Sequence, residues 1–279
     1  MQLRQKTSRI KDLHAKLFEI AVYFDDFCRN NNIQYYLLAG STLGAIRHRG
    51  FVPWDDDFDV GMTIDNYDKF LKLAANIDKD KYFVQVENSD GWPLMFTKIR
   101  MNGTTFLEDG WEKSVSSHHG IFMDVFCLYY APQSLIERYT QFIIAKLIVA
   151  KALYERGNYV TSSIRKKIII QIARIIVIKH TKNKLIRWVK LKGRKESKLF
   201  WLLFDKFYKK ALYPKEYFGT PRYVEFLTTT FPIPEKAEAY LTYTYGDYMK
   251  LPDEKKRIKD VHAHYFDLEI DYKEFINKL

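Results

Sequence analysis

Apolar residues recur along this chain with two different periods, and the change of period marks the predicted helices and strands. Residues 7–31 carry apolar side chains at spacings of three or four, which is typical of an amphipathic helix. The short apolar run 33–39 predicts a buried strand, and Gly40-Ser41-Thr42 then opens a short helix. Residues 65–77 predict a further helix, with Asp65 as its cap.

The later pattern continues with strands and then with longer helices. Strands are predicted over 82–87, 94–101 and 120–128, and helices over 135–153 and 164–190, with 192–197 as a candidate linker. Strands that are followed by a run of helices favour an α+β fold, in which helices flank a sheet. The aromatic and polar segment from Tyr213 to the end carries no comparable periodicity.

Two aspartates one residue apart, Asp57 and Asp59, are the first candidates for chemistry. Apolar Phe58 and Val60 alternate with them as in a half-buried strand, so the two carboxylates are predicted to project from the same face. A divalent cation would relieve their repulsion, and hard oxygen ligands suit Mg²⁺ or Mn²⁺. The alternative is a polar turn with solvated acids.

A third acid, Asp124, lies in the middle of the otherwise apolar predicted strand 120–128. An unpaired charge is costly to bury, so this residue needs a partner. Coordination of a metal beside Asp57 and Asp59 would supply one, and a structural Arg or Lys is the alternative.

The positive charge of the chain is concentrated in its middle third. The net charge is +11, and residues 131–212 hold 20 Lys and Arg against 4 Asp and Glu, a net of +16, while the remainder carries 25 against 30, a net of −5. This third is either a helical subdomain with a solvated basic face or a surface attracted to anionic lipid headgroups. A nucleic-acid-binding protein is disfavoured, because these helices lack the aromatic interleaving of single-strand platforms.

Composition bounds the setting of the protein. The two cysteines, Cys28 and Cys127, each lie in an apolar stretch, so neither a disulfide framework nor a zinc site is predicted. The polar first residues do not form a secretory signal, and no run of about 18 uncharged apolar residues occurs. We expect a reduced, cytoplasmic protein.

Three stretches together carry a resemblance to a known family. The segment 39–61 combines Gly40-Ser41 with Asp57 and Asp59, the strand around 122–126 holds Asp124, and 245–249 is followed by Leu251-Pro252. Their order resembles the nucleotidyltransferase fold of the polymerase β type, and more closely the LicD family. The second stretch departs from the usual family pattern, because Cys127 stands where proline is common. The basic middle third contains no motif of the family.

The resemblance implies an enzyme that transfers a phosphorylated alcohol. The expected donor is CDP-choline or another CDP-alcohol, and the expected acceptor is a hydroxyl of a cell-surface glycan such as teichoic acid or lipopolysaccharide. A lipid-linked form of this glycan at the inner membrane surface is one alternative. The implied division is a nucleotidyltransferase-like mixed sheet flanked by helices in 1–130, a basic helical subdomain in 131–212, and a substrate-binding C-terminal part in 213–279. Nucleotidyl transfer from an NTP would use the same acids and stays an alternative.

The resemblance also implies roles for single residues. Asp57, Asp59 and Asp124 would hold one or two Mg²⁺ (or Mn²⁺) ions and form the catalytic centre, and one acid would accept the hydroxyl proton. Gly40, Ser41 and Thr42 would hold phosphate at the start of their helix. Cations suited to clamp the diphosphate are Arg47, Arg49, Lys98 and Arg100.

The remaining candidates concern the head group of the donor and the neighbourhood of the acids. A quaternary ammonium group binds against aromatic faces, for which Trp54, Trp92 and Trp111 are candidates, and Trp92 is preferred because Gly91 and Pro93 flank it in a loop. Asp55 and Asp56 are expected to shape the turn or to support the site from behind. The pair His262 and His264 is interpreted as structural or substrate-contacting.

Overall fold

The structure is a computed structural model that describes residues 2–89, 91–108, 116–157, 163–205, 208–254, 257 and 261–278, with the backbone alone for 2–9. Its helices are α1 Gln2–Asn30, α2 Ala39–His48, α3 Ile64–Leu73, α4 Leu135–Glu155, α5 Ile164–Ile176, α6 Lys179–Lys192, α7 Ala237–Tyr245 and α8 Tyr272–Asn277. Its strands are β1 Tyr36–Leu37, β2 Asp59–Thr63, β3 Tyr82–Gln85, β4 Thr97–Met101, β5 Thr105–Glu108, β6 Phe122–Tyr130, β7 Leu199–Trp201, β8 Leu212–Pro214, β9 Arg222–Phe226, β10 Thr229–Ile233 and β11 Ala263–Asp267.

A mixed sheet organises the described residues. Five of its strands follow the order β1-β2-β6-β4-β3, while β7 pairs with the end of β6 and β8 pairs with β7. The central strands β2 and β6 run parallel, and the other pairs of this sheet are antiparallel. Two small antiparallel sheets, β9 with β10 and β5 with β11, flank it. The predicted α+β class with a mixed sheet is therefore confirmed.

The core forms around β6, which is apolar on both faces because helices cover the sheet. Leu13, Leu17, Ile20 and Phe24 of α1 are buried in the same cluster as Met123 and Val125 of β6. Helix α3 adds Tyr67 and Phe70 to this cluster. The three-to-four spacing that predicts α1 is therefore the spacing of the residues that this helix buries.

The basic middle third is joined directly to the sheet. Strand β7 pairs with the end of β6, with Tyr129 opposite Trp201 and Tyr130 opposite Phe200. Ala145 and Ile148 of α4 and Val189 of α6 also belong to the main core. The division at residues 130 and 212 stays a prediction, and the structure adds that the two sides of the first boundary share a core.

Four local predictions differ from the structure. The strand begins at Asp59, so Asp57 precedes it in a segment without regular secondary structure and the two acids do not lie on one strand. Thr63 and not Asp65 occupies the N-cap of α3, where no side chain caps the helix. The predicted helix 164–190 is interrupted at Val177, which leaves the helical region with ψ of 81°. Strand β5 was not predicted, because it forms by pairing with β11, more than 150 residues later along the chain.

The structure also gives the state of the two cysteines and the character of its helices. Cys28 and Cys127 are both free and buried. Within the described ranges, no helix has the length and apolar character needed to cross a membrane.

Candidate active site

The acids predicted to act together meet where the parallel strands β2 and β6 begin. Asp59 and Asp124 are register partners in this pairing. The backbone N–H of Asp124 donates to the carbonyl oxygen of Phe58 at 2.9 Å, which extends the contact toward Asp57. Side chains at equivalent positions of adjacent strands project from the same face, so the sheet brings together acids 65 residues apart in sequence.

Helix α2 supports this edge of the sheet from behind. The Ser41 hydroxyl accepts a hydrogen bond from the backbone N–H of Asp59 at 2.8 Å. The Thr42 hydroxyl, fully buried, donates to the carbonyl oxygen of Leu37 at 2.6 Å. Gly40 lines the pocket described below, and a Cβ at this position would lie 2.2 Å from a carboxylate oxygen of Asp55. The Gly-Ser-Thr motif thus serves packing and strand placement in the first instance.

The C-terminal part of the chain supplies a histidine to the acids. Both oxygens of the buried Asp56 are used: Oδ2 accepts from the backbone N–H groups of His262 at 2.7 Å and Ala263 at 2.6 Å, and Oδ1 lies 3.1 Å from His262 Nδ1. The same imidazole nitrogen lies 3.6 Å from Asp57 Oδ2. Asp56, which was predicted to support the site from behind, therefore holds His262 beside Asp57.

The site concentrates negative charge in a buried place. Burial is the main cause that raises the pKa of Asp57 to about 6, although His262 acts in the opposite direction. Burial, followed by repulsion from Asp57 and Asp124, raises the pKa of Asp59 well above its usual value. The pKa of Asp55 is raised in the same way. A bound cation would favour the ionised form of each of these groups.

His262 carries the positive charge that the structure itself places beside these acids. Its hydrogen bond to Asp56 is the main cause that raises the pKa of the imidazole to about 9, against the lowering effect of burial. The imidazole is therefore protonated at neutral pH.

A pocket of about 600 Å³ opens over Asp55, Asp57 and Asp59. Its other lining residues are cationic (Arg47, Lys250, His262), aromatic (Trp54, Tyr245, Tyr248), acidic (Asp247, Asp253) or small and apolar (Ala39, Gly40, Leu43, Val52, Leu251, Pro252). Arg47 is held in place because its Nη1 donates to the carbonyl oxygen of Tyr248 at 2.6 Å. Acids at the floor with cations and aromatic rings around them suit a ligand that carries both phosphate and apolar or cationic groups.

The alternative to metal coordination for Asp124 was a structural Arg or Lys partner, and Lys98 is such a partner. Lys98 is buried beside it, with Nζ 3.1 Å from Asp124 Oδ1 and 3.0 Å from the centre of the Phe122 ring. Burial lowers the pKa of this lysine, and neither residue lines the pocket. Lys98, predicted to clamp a diphosphate, is thus placed to neutralise Asp124.

Three other predicted substrate contacts lie away from the pocket. Arg49 has 81% of its side chain exposed and pairs with Glu225 at 3.5 Å. Trp92 is buried, and its Nε1 donates to the carbonyl oxygen of Phe96 at 2.8 Å. Arg100 is buried and donates to Gln85 at 2.6 Å and to the Gly120 carbonyl at 2.9 Å. Trp111 lies outside the described residues, whereas Trp54 lines the pocket.

Two overlapping sets of side chains can hold a cation. Among the described residues, Asp56, Asp57 and His262 form the set whose ligand atoms all lie within 4.8 Å of one another. The predicted triad of Asp57, Asp59 and Asp124 does not form such a compact set among these residues, but Asp124 Oδ1 is buried and accepts no hydrogen bond despite the nearby Lys98. In the compact set, both oxygens of Asp56 are already bonded to His262 and Ala263.

His262 and the segment 245–249 stand out in the sequence, but the sequence does not place either of them in the site. The pairing of Asp56 with His262 spans 206 residues of sequence, and the pocket joins Arg47 to Tyr248 across 201. Neither contact has a local signal. The short spacing of the two histidines was the one hint, and His264 is not among the pocket residues.

Comparison with known proteins agrees with this geometry. Residues 32–143 match the model of the LicD/FKTN/FKRP nucleotidyltransferase domain, a stretch that includes α2 and the aspartates of β2 and β6. The chain is 28% identical over 261 residues to the lipopolysaccharide cholinephosphotransferase LicD of Haemophilus influenzae, which covers 90% of this chain and 95% of that protein. An uncharacterised protein of Rickettsia typhi is 31% identical over 87 residues, 28% of each chain. One of Rickettsia prowazekii is 29% identical over 73 residues, which covers 26% of this chain and 27% of that protein.

The family match covers the acidic centre, and the similarity to the Haemophilus protein extends over 90% of this chain. Residues 32–143 of this chain thus match the LicD family, and the chain as a whole is similar to the Haemophilus protein of that name.

Proposed function

We propose that this protein transfers phosphocholine from CDP-choline to a hydroxyl of a cell-surface glycan precursor, and that CMP is released. The observation that supports it most strongly is the pocket with half-buried acids at its floor and cations and aromatic rings at its sides. The nearly full-length similarity to a lipopolysaccharide cholinephosphotransferase supports a phosphotransferase and makes lipopolysaccharide the first acceptor to test, with teichoic acid as another.

The pocket offers separate groups for the parts of the donor. Arg47 and Lys250 can bind the diphosphate, and the guanidinium of Arg47 is already oriented by its bond to Tyr248. A quaternary ammonium group needs no hydrogen bond and binds against aromatic faces, which Trp54, Tyr245 and Tyr248 offer here. In this proposal, these residues take the role that the sequence suggested for Trp92.

Mg²⁺ or Mn²⁺ would be held by Asp57 and Asp59, with Asp124 as a third donor. Two observations support this assignment: burial and repulsion from neighbouring acids raise the pKa values of the first two, and the buried Oδ1 of Asp124 accepts no hydrogen bond. When bound, such an ion neutralises charge on the transferring phosphoryl group and lowers the pKa of the attacking hydroxyl.

The protein groups orient the reaction. The oxygen of the acceptor hydroxyl forms a bond to the phosphorus of phosphocholine as the bond from this phosphorus to the CMP oxygen breaks, and the hydroxyl proton passes to a carboxylate of the cluster. Arg47 and Lys250 stabilise the charge that develops on CMP. His262, fixed by Asp56, limits the charge at the floor of the pocket before the donor binds.

The finer assignments of fold and place belong to the same proposal. The match to a nucleotidyltransferase domain and the parallel pair β2 and β6 with its acids support a polymerase β-type core. We place the reaction on the cytoplasmic side of the membrane, where CDP-linked donors are made.

The test is a donor screen scored by product. Purified protein is incubated with lipopolysaccharide and CDP-choline, CDP-ethanolamine, CDP-ribitol or CTP, and CMP and pyrophosphate are quantified by chromatography. We expect CMP from CDP-choline, loss of this product with a chelator, and recovery with Mg²⁺ or Mn²⁺. Pyrophosphate from CTP without CMP from any CDP-alcohol would instead indicate nucleotidyl transfer and overturn the proposal.

A further inference from the structure

Helix α5 exposes a large apolar surface that its packing within the fold does not explain. Six of its isoleucines are 44% to 75% exposed, namely Ile164, Ile168, Ile169, Ile172, Ile175 and Ile176, and Ile178 beyond its end is 59% exposed. Contiguous apolar surface of this kind marks an interaction site in a water-soluble domain.

The exposed isoleucines form one stripe along the helix. Ile164, Ile168, Ile172 and Ile175 follow one another at spacings of four, four and three, so they lie on one face. The opposite face carries Ile170 and Ala173, which are buried in the contact with α4, and Val177 directly after the helix is also buried. This contact fixes the orientation of α5, because it uses the narrow buried face and leaves the isoleucine stripe turned outward.

Cations accompany this stripe, and acids are absent from it. Arg165, Lys167 and Arg174 are exposed beside the stripe, whereas the exposed Lys166 lies on the face of Ile170 and Ala173. The sequence 164–192, which comprises α5 and α6, contains ten Lys and Arg and no Asp or Glu. An apolar stripe with flanking cations is the pattern of a helix that lies in the interface of an anionic membrane.

The dimensions of the helix favour lying on a membrane over crossing it. The 13 residues of α5 extend about 20 Å, while the hydrocarbon core of a bilayer is about 30 Å thick. A second copy of the chain is a poorer partner, because two such faces would bring their cations together. Nucleic acid would pair with the cations and leave the isoleucines in water.

We propose that α5 is a membrane-docking helix whose isoleucine stripe enters the headgroup region of an anionic lipid bilayer while its Lys and Arg pair with lipid phosphates. The residues involved are separate from those of the pocket. The proposal therefore concerns where the enzyme works and does not depend on which donor it uses.

The experiment is flotation of the full-length protein with vesicles of phosphatidylcholine alone or with added phosphatidylglycerol. We expect flotation with the anionic vesicles and weaker flotation as ionic strength rises from about 0.05 M to about 0.5 M. The triple variant I168S/I172S/I175S should lose more than about tenfold in partition coefficient. The variant R165Q/K167Q should lose about fivefold for each charge removed.

Matched controls separate this surface from general effects. L191S removes an equally exposed apolar side chain from α6, and K72Q/K79Q removes two exposed charges elsewhere; both should float as the wild type does. Because the changed residues are exposed, thermal unfolding and CMP release with a soluble acceptor should be unchanged in all variants, which separates this test from that of the proposed function.

Three results would overturn the proposal. The first is wild-type protein that stays unbound with anionic vesicles at low salt, and the second is a triple variant that floats like the wild type. The third is a protein that does not bind vesicles but shows isoleucine-dependent self-association in sedimentation velocity, or a salt-sensitive shift with RNA or DNA. Either result would assign the stripe to another partner.

Discussion

The acids in the pocket floor and directly behind it differ in how far their charge is offset. Asp56 accepts hydrogen bonds from the backbone of His262 and Ala263, and Asp124 has Lys98 at 3.1 Å. Asp59 has raised pKa because burial and its acidic neighbours outweigh the attraction of Lys98. Such a group is destabilising when ionised, which is a feature of sites built for a ligand and not for stability.

The first residue-level prediction separates activity from stability. D59N and D57N should each lower CMP release at least about 100-fold, because the variants lack an anionic oxygen needed at the phosphoryl group. Their melting temperatures at neutral pH should equal or exceed that of the wild type, since a group whose folded pKa is raised destabilises the fold when ionised. Calorimetry and the CMP assay give the two readings. Normal turnover in Mg²⁺ would contradict the metal assignment.

The second residue-level prediction concerns the buried pair of Lys98 and Asp124. K98M should lower the free energy of unfolding by about 3 kcal/mol, because it leaves the carboxylate buried without a partner. The double variant K98M/D124N should regain part of this loss, as measured by denaturant unfolding. If K98M were as stable as the wild type, the pairing in the structure would not be the source of stabilisation.

Two elements determine the shape of the pocket floor, and both act through close approach. Helix α2 brings Gly40 against Asp55, and β11 is tied to the acids through Asp56. The first contact depends on a missing side chain and the second on backbone donors. Neither contact depends on a charged side chain of the kind that is easily recognised in a sequence pattern.

A prediction at the level of the element tests the approach of α2. G40A should lower CMP release by more than about tenfold, because a Cβ 2.2 Å from Asp55 Oδ2 forces this carboxylate out of place. The control is G103A, where no atom lies within 4 Å of the new Cβ but φ is +70°. It should cost about 1 kcal/mol of stability and no activity. Equal activity of G40A and wild type would show that Asp55 can move freely.

At the scale of the whole molecule, ion pairs join parts that are distant in sequence. Arg156, just after α4, donates to Glu108 of β5 at 2.7 Å, and β5 in turn pairs with β11. Attraction to Lys98 and Arg156 lowers the pKa of Glu108 to about 2, even though burial acts in the opposite direction. The helical third, the sheet and the C-terminal strand thus meet around one carboxylate.

This pairing predicts how stability depends on pH. Because the folded pKa of Glu108 is about 2 and its ordinary value is 4.5, ionised Glu108 stabilises the fold above pH 4.5 and loses this effect as the pH falls toward 2. E108Q should therefore be less stable by up to about 3 kcal/mol at neutral pH, and its difference from the wild type should shrink on acidification. Denaturant unfolding across this pH range is the measurement, with E269Q as the exposed control. A difference that is constant with pH would contradict the assignment.

The sequence by itself determined the elements whose residues contact their near neighbours, and it located the acids. The periodicity of α1, the run that becomes β6 and the Gly-Ser motif of α2 are local patterns, so a sequence displays them directly. The α+β class and the family resemblance followed from the order of these elements. The spacing of the isoleucines in α5 can also be recognised in the sequence, but their exposure to solvent cannot.

Tertiary structure alone decided which charged residues face the pocket. Lys98 and Arg100 belong to a buried strand, so their cations pair inside the protein, and Arg49 turns to Glu225 on the outside. His262, Tyr245 and Lys250 reach the site because the chain returns to it after some 180 residues. A side chain's type is written in the sequence, but its partner depends on which distant surfaces pack together, and such packing leaves no local mark.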